Sequence, residues 1–173
     1  MSDPFRTLGL PATFDLGGDQ VESAFLARAA AVHPDLDPES PEALRLAADL
    51  NHARATLADP ETRADALLGL LGGPTSKADP SLPPGFLMEV MELRESIDDA
   101  AASGDADALA GLTKDATDRR HAMIAHVSGM FRGLPPSPGP ERDRALATIR
   151  TQLNAWRYLE RMLEALRGLP PPL

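Results

Sequence analysis

Residues 19–57 read DQVESAFLARAAAVHPDLDPESPEALRLAADLNHARATL. Two helical patterns flank a break. In the first, Val21, Phe25, Ala29 and Val32 recur at three- and four-residue steps, which stacks them on one side of a helix. Asp19 after Gly17-Gly18 has the chemistry of its N-cap, and Pro34 forces an end by Val32 or His33, because the residue before a proline is pushed out of helical geometry. In the second, Ser40-Pro41 supplies an N-cap and a first residue, and Leu46, Leu50, Ala53 and Leu57 form the inward stripe. Between the two predicted antiparallel helices lies a polar loop that contains His33-Pro34-Asp35.

Working outward, a short helix fits Pro4–Leu8, ended by Gly9. Asp59-Pro60 repeats the start signal for a fourth helix, with Leu67, Leu68 and Leu71 inside and Gly72-Gly73 beyond it. Residues 73–84, GPTSKADPSLPP, read as a linker and boundary. Three longer helices follow near 85–102, 105–132 and 139–167, separated by Ser103-Gly104 and by the Gly/Pro-rich run 133–138. Strand signals are nearly absent. The expected class is all-α: an N-terminal helical-hairpin domain over 1–73, a linker over 74–84, and a C-terminal three-helix bundle over 85–173.

Composition narrows the function. The chain of 173 residues has a net charge of −9 and no cysteine. That excludes disulfides, thiolate metal sites and a cysteine nucleophile. No basic stripe favours nucleic acid. No stretch is long and apolar enough to span a bilayer, and the start Met1-Ser2-Asp3-Pro4 has no signal-peptide pattern, so a soluble, cytoplasmic bacterial protein is expected. Lys occurs only at 77 and 114, a bias of composition. His121 and His126 are five apart, a poor metal pair; no metal and no cofactor is expected. No nucleophile–base pair or phosphate loop points to an enzyme.

The helix count and the placement of His33-Pro34-Asp35 resemble the J domain of DnaJ-type co-chaperones. Asp3-Pro4-Phe5-Arg6-Thr7-Leu8-Gly9-Leu10-Pro11, the run from Asn51 to Leu57, Asp59-Pro60, Arg63 to Leu68, and above all Phe86-Leu87-Met88-Glu89 continuing to Met91-Glu92-Leu93-Arg94-Glu95 resemble the HscB (Jac1) family across nearly the whole chain. The resemblance implies a co-chaperone without an ATPase of its own. It would bind the iron–sulfur scaffold IscU through the C-terminal bundle, deliver it to the DnaK-like chaperone HscA (or DnaK), and stimulate that ATPase through the J domain. Iron–sulfur protein maturation and protein complex oligomerization are the processes implied. His33, Pro34 and Asp35 would dock on the chaperone. Pro34 would stiffen the loop by fixing φ.

Periodicity finds a second surface independently. On the helix from Phe86, the residues Phe86, Val90, Leu93 and Ile97 fall within an arc of about 60°. Leu87, Met88 and Met91 lie well away, at roughly 100° to 200°, with Glu92, Glu95 and Asp99 beside them. Exposed apolar groups with a polar rim mark partner surfaces. The resemblance assigns the same six residues, with Tyr158 from the last helix, to the client site. Leu87 and Met91 have a second reading, as packing across the interdomain joint, and the acidic trio as an ordinary solvated face. Trp156 reads as core.

The chain departs from the family in the charge around the loop, where Leu36-Asp37 also replace basic residue types. The helix before the loop is usually basic there, but here it carries Asp19 and Glu22 against Arg28, which becomes its one basic candidate for chaperone contact. Over residues 1–72, 5 Arg or Lys stand against 12 Asp or Glu, so 5 − 12 = −7. Two alternatives therefore stay open: a J-domain protein with a different client, and an interaction scaffold with a vestigial J domain.

Overall fold

A computed structural model of the chain describes residues 3–32 and 40–168. Among them are seven helices and no strand: α1 (Pro4–Leu8), α2 (Gly18–Val32), α3 (Pro41–Ala58), α4 (Pro60–Leu70), α5 (Phe86–Ser103), α6 (Ala106–Arg132) and α7 (Pro140–Gly168). The class is all-α, as the sequence predicts. The chain divides into two compact units, Met1–Gly73 and Pro74–Leu173.

Local chemistry sets the helix ends in the first unit. Asp3 accepts the Phe5 and Arg6 backbone N–H groups at 2.9 and 3.1 Å, which satisfies donors that a helix start leaves unpaired. Gly9 ends α1 at φ 71°, in the left-handed region. Ser40 and Asp59 cap α3 and α4 by accepting the N–H groups of Ala43 and Thr62. One start differs from expectation. α2 begins at Gly18, so Asp19 lies in its first turn and is not the N-cap. The reason is Gln20, whose side-chain Oε1 reaches back to accept the Gly17 N–H at 2.8 Å, the return half of a capping box.

α3 is the central helix of this unit and packs against α1, α2 and α4. Its stripe residues Leu50, Ala53 and Leu57 are buried with Phe5, Leu8, Val21, Leu67 and Leu68. Two further core residues, Phe14 and Leu16, come from the segment between α1 and α2. Arg63 is also buried. Its Nη1 donates to the Leu57 carbonyl at 2.7 Å, and its guanidinium lies 5.2 Å from the centre of the Phe14 ring. Desolvation pushes the Arg63 guanidinium below its ordinary range, opposed by Asp59 and Asp15.

The second unit is a three-helix bundle preceded by an irregular segment. Gly104, at φ 67°, turns the chain between α5 and α6. Glu89 near the start of α5 pairs with Arg119 midway along α6, while Ile97 farther along α5 shares one core cluster with Leu109 and Leu112 from the first half of α6, so α5 and α6 run antiparallel. Arg120 pairs with Glu160, and Ala116, earlier on α6, shares the core cluster with Leu163 and Leu166, later on α7, so α6 and α7 are antiparallel as well. α7 carries most of the core, including Ile149, Leu153, Trp156, Leu159 and Leu163. Trp156 is fully buried, and its indole N–H donates to Glu160 at 2.8 Å, on the carboxylate that also receives Arg120. Residues 74–81 lie against α7 and belong to this unit.

Candidate functional site

α5 presents two unlike sides. On one, Ile97 and Ala100 are buried, Leu93 packs on the core, and Phe86 and Val90 are half-buried. On the other, Leu87, Met88 and Met91 are 56%, 68% and 64% exposed. Three large apolar side chains within five residues therefore stay in water, although covering each fully would yield roughly 1.5–3 kcal/mol. Glu92, Glu95 and Asp99 are exposed along the same helix. The methionines, unbranched and polarizable, adapt to irregular partner surfaces.

Tyr158 of α7 meets the first residue of α5 through an aromatic contact. Its ring meets that of Phe86 edge to face, with centroids 6.0 Å apart and planes at 72°, the arrangement that the ring quadrupoles favour. Arg161, three residues on, places its guanidinium 5.9 Å from the Tyr158 ring centre. Tyr158 remains 36% exposed. The structure thus brings Tyr158 against Phe86, in the first turn of α5. The resemblance singles out Tyr158, but nothing in the sequence signals that Phe86 supports it. Behind α5 lies an apolar groove of about 370 Å³, lined by Phe86, Val90, Met123, Leu159 and Met162, with the Glu89–Arg119 pair at 3.9 Å beside it.

On the first unit, His33, Pro34 and Asp35 lie outside the described residues. Arg28 is exposed on α2, and its guanidinium folds over Gly9 at the end of α1. Glu22 of the same helix pairs with Arg54 of α3 at 2.7 Å, while Arg54 also lies 4.9 Å from the Phe25 ring centre.

The displaced ionisations have local causes away from both surfaces. Ser81 donates its hydroxyl and its N–H to Asp79 and holds that carboxyl below its ordinary value. The Lys114–Asp118 pair, 2.6 Å apart, raises the ammonium and lowers the carboxylate. Among the described residues no cluster of His, Cys, Asp or Glu has the makings of a metal site, and no helix is long and apolar enough to cross a membrane.

Residues 82–167 match the family model for the HSCB C-terminal oligomerisation domain. The chain is 37% identical over 151 residues to the co-chaperone protein HscB homolog of Burkholderia multivorans, covering 84% of this chain and 86% of that relative. Among solved structures, chaperone HscB from Vibrio cholerae superposes with a TM-score of 0.75 at 27% identity, covering 96% of both chains. Human co-chaperone HscB superposes at 0.78 with 20% identity over 96% of this chain and 81% of that one, a likeness of fold. The Burkholderia and human proteins are named as co-chaperones and the Vibrio protein as a chaperone, none of them as an enzyme. A helical first unit built on the α2–α3 hairpin, a three-helix second unit and this likeness over most of both lengths lead to one conclusion: the chain belongs to the HscB family of co-chaperones.

Proposed function

We propose that this co-chaperone binds an iron–sulfur scaffold protein of the IscU type through Leu87, Met88, Met91, Glu92, Glu95, Asp99 and Tyr158. It then hands that client to a DnaK-like chaperone, HscA or DnaK, and stimulates its ATPase through His33, Pro34 and Asp35, in the bacterial cytoplasm. The observation that carries the reading is the exposed apolar trio on α5 with Tyr158 held beside its first turn. The acidic residues rim it and favour a client surface with basic groups.

The test has two arms. A Leu87→Ala/Met91→Ala/Tyr158→Ala variant is titrated with the scaffold by calorimetry. Central apolar and aromatic anchors each contribute about 1–2 kcal/mol or more, so affinity should fall by about 100-fold or beyond. Unchanged affinity, with helical content intact by circular dichroism, removes this surface from the proposal. His33→Gln should abolish chaperone stimulation and leave scaffold binding as it was; wild-type stimulation by that variant removes the loop. The acidic first unit favours a second reading, an interaction scaffold with a vestigial J domain, which predicts no stimulation even at low salt, where weak charge attraction is least screened.

A further inference from the structure

The methionines of this chain divide by exposure. Among the described residues they stand at 88, 91, 123, 130 and 162. Met123, Met130 and Met162 are half-buried, and Met162 packs against the core cluster of the second unit. Met88 and Met91 keep 68% and 64% of their surface in water. They are three residues apart on α5, so the two thioethers are neighbours on its surface. The chain has no cysteine, so no thiol of its own reacts ahead of them with an oxidant.

We propose that Met88 and Met91 form a reversible oxidation site that switches off client docking. The inference rests on the proposed client surface, of which both are part. The oxidant is a peroxide. The thioether sulfur gives a lone pair to one oxygen of hydrogen peroxide and the O–O bond breaks. The proton on the transferred oxygen passes to the departing hydroxide, which leaves as water, and the methionine becomes its sulfoxide. Sulfur is oxidised by two electrons and the peroxide is reduced by two. Methionine sulfoxide reductases, one for each sulfoxide epimer, reverse the step, the oxygen leaving as water while a dithiol becomes a disulfide. The consequence follows from polarity. A thioether on a flexible chain suits an irregular apolar partner. A sulfoxide has a strongly polar S–O group, which such a partner desolvates without supplying a hydrogen bond. Two of them beside Leu87 turn the apolar trio polar, and neither residue supports the core, so the fold persists.

In the experiment the full chain is treated with hydrogen peroxide, freed of it, and titrated with the scaffold by calorimetry. Tryptic peptides report the site: 78–94 contains Met88 and Met91, 121–132 contains Met123 and Met130, and 162–167 contains Met162. The 78–94 peptide should gain oxygen first in mass spectra. Scaffold affinity should fall about tenfold or more in step with that gain, at unchanged helical content by circular dichroism. The reductases with a dithiol should restore it. Met88→Leu/Met91→Leu keeps volume and apolar character, so it should bind within about threefold of wild type and lose nothing on peroxide treatment. Four results would each overturn the inference: earlier oxidation of 121–132 and 162–167, unchanged affinity once 78–94 is oxidised, no recovery with the reductases, or a peroxide-dependent loss in the leucine variant. Each leaves the client surface standing, since untreated wild type still binds. Failure of untreated wild type to bind the scaffold overturns both.

Discussion

Arg150, 1% exposed on α7, donates from Nε to the carbonyl oxygen of Pro74 at 2.9 Å. Four residues on, Asn154 donates its amide to the carbonyls of Asp79 and Ser81, both at 2.9 Å, and Arg157 reaches the Ser76 hydroxyl. Residues 150, 154 and 157 share one side of a helix. That stripe supplies donors to a segment without a helix of its own, whose carbonyls would otherwise go unpaired on leaving water.

The first prediction follows from that strap. Arg150→Met and Asn154→Ala each leave acceptors of the 74–81 segment unsatisfied, and each should cost about 2 kcal/mol. Urea unfolding should show a lower midpoint at unchanged slope, and limited proteolysis should cut faster between 74 and 82. Wild-type midpoints for both variants would mean that the strap adds nothing to stability.

Gly9 faces two constraints at once. Its φ of 71° is left-handed, and a Cβ there would run into the Arg28 guanidinium. Gly9→Ala should therefore cost about 1–2 kcal/mol from backbone strain alone, seen as a drop in Tm of at least about 4 °C. Adding Arg28→Ala relieves the collision but not the strain, so the double variant should recover only part of the loss. Full recovery would assign the whole effect to Arg28.

Asp79 gives a pH dependence. Its carboxyl accepts the Ser81 hydroxyl and N–H, which favours the ionised form and holds its folded value beneath that of an ordinary aspartate. A depressed carboxyl contributes stability that is complete above its unfolded value and is lost as pH falls through the folded one. The contribution should thus disappear on acidification below about pH 4. NMR titration of Asp79 should place its midpoint under that of an ordinary aspartate, and Ser81→Ala should raise it. No movement in Ser81→Ala would show that the Ser81 hydroxyl does not set it.

How much of this was legible depends on how far away the deciding partner lies. Ser40-Pro41, Asp59-Pro60, Gly9 and Gly104 mark helix ends because the deciding hydrogen bonds close within a few residues. Leu87, Met88 and Met91 are legible because helical period alone sets them off the core stripe. Asp19 misled because Gln20 competes for the same cap. Arg150 and Asn154 are of types that are mostly exposed, and their partners, carbonyls more than 70 positions away, leave no local pattern. Phe14 and Leu16 enter the core from a segment with no period to follow. The Phe86–Tyr158 contact joins two helices whose pairing no local pattern encodes.

That contact yields the last prediction. If Phe86 positions Tyr158 for the client, the rings matter and the phenol hydroxyl matters less. Tyr158→Phe keeps the edge-to-face pair and should bind the scaffold within about twofold of wild type. Phe86→Leu keeps bulk in the half-buried position but removes the aromatic partner. Such pairs contribute about 0.5–1.5 kcal/mol beyond their area, so scaffold affinity should weaken about two- to tenfold. Calorimetry on the two single variants and on Phe86→Leu/Tyr158→Ala completes a double-mutant cycle with Tyr158→Ala. Positive coupling means that Phe86 acts through Tyr158. Additive losses mean that Phe86 acts by itself, through the groove behind α5 that it also lines.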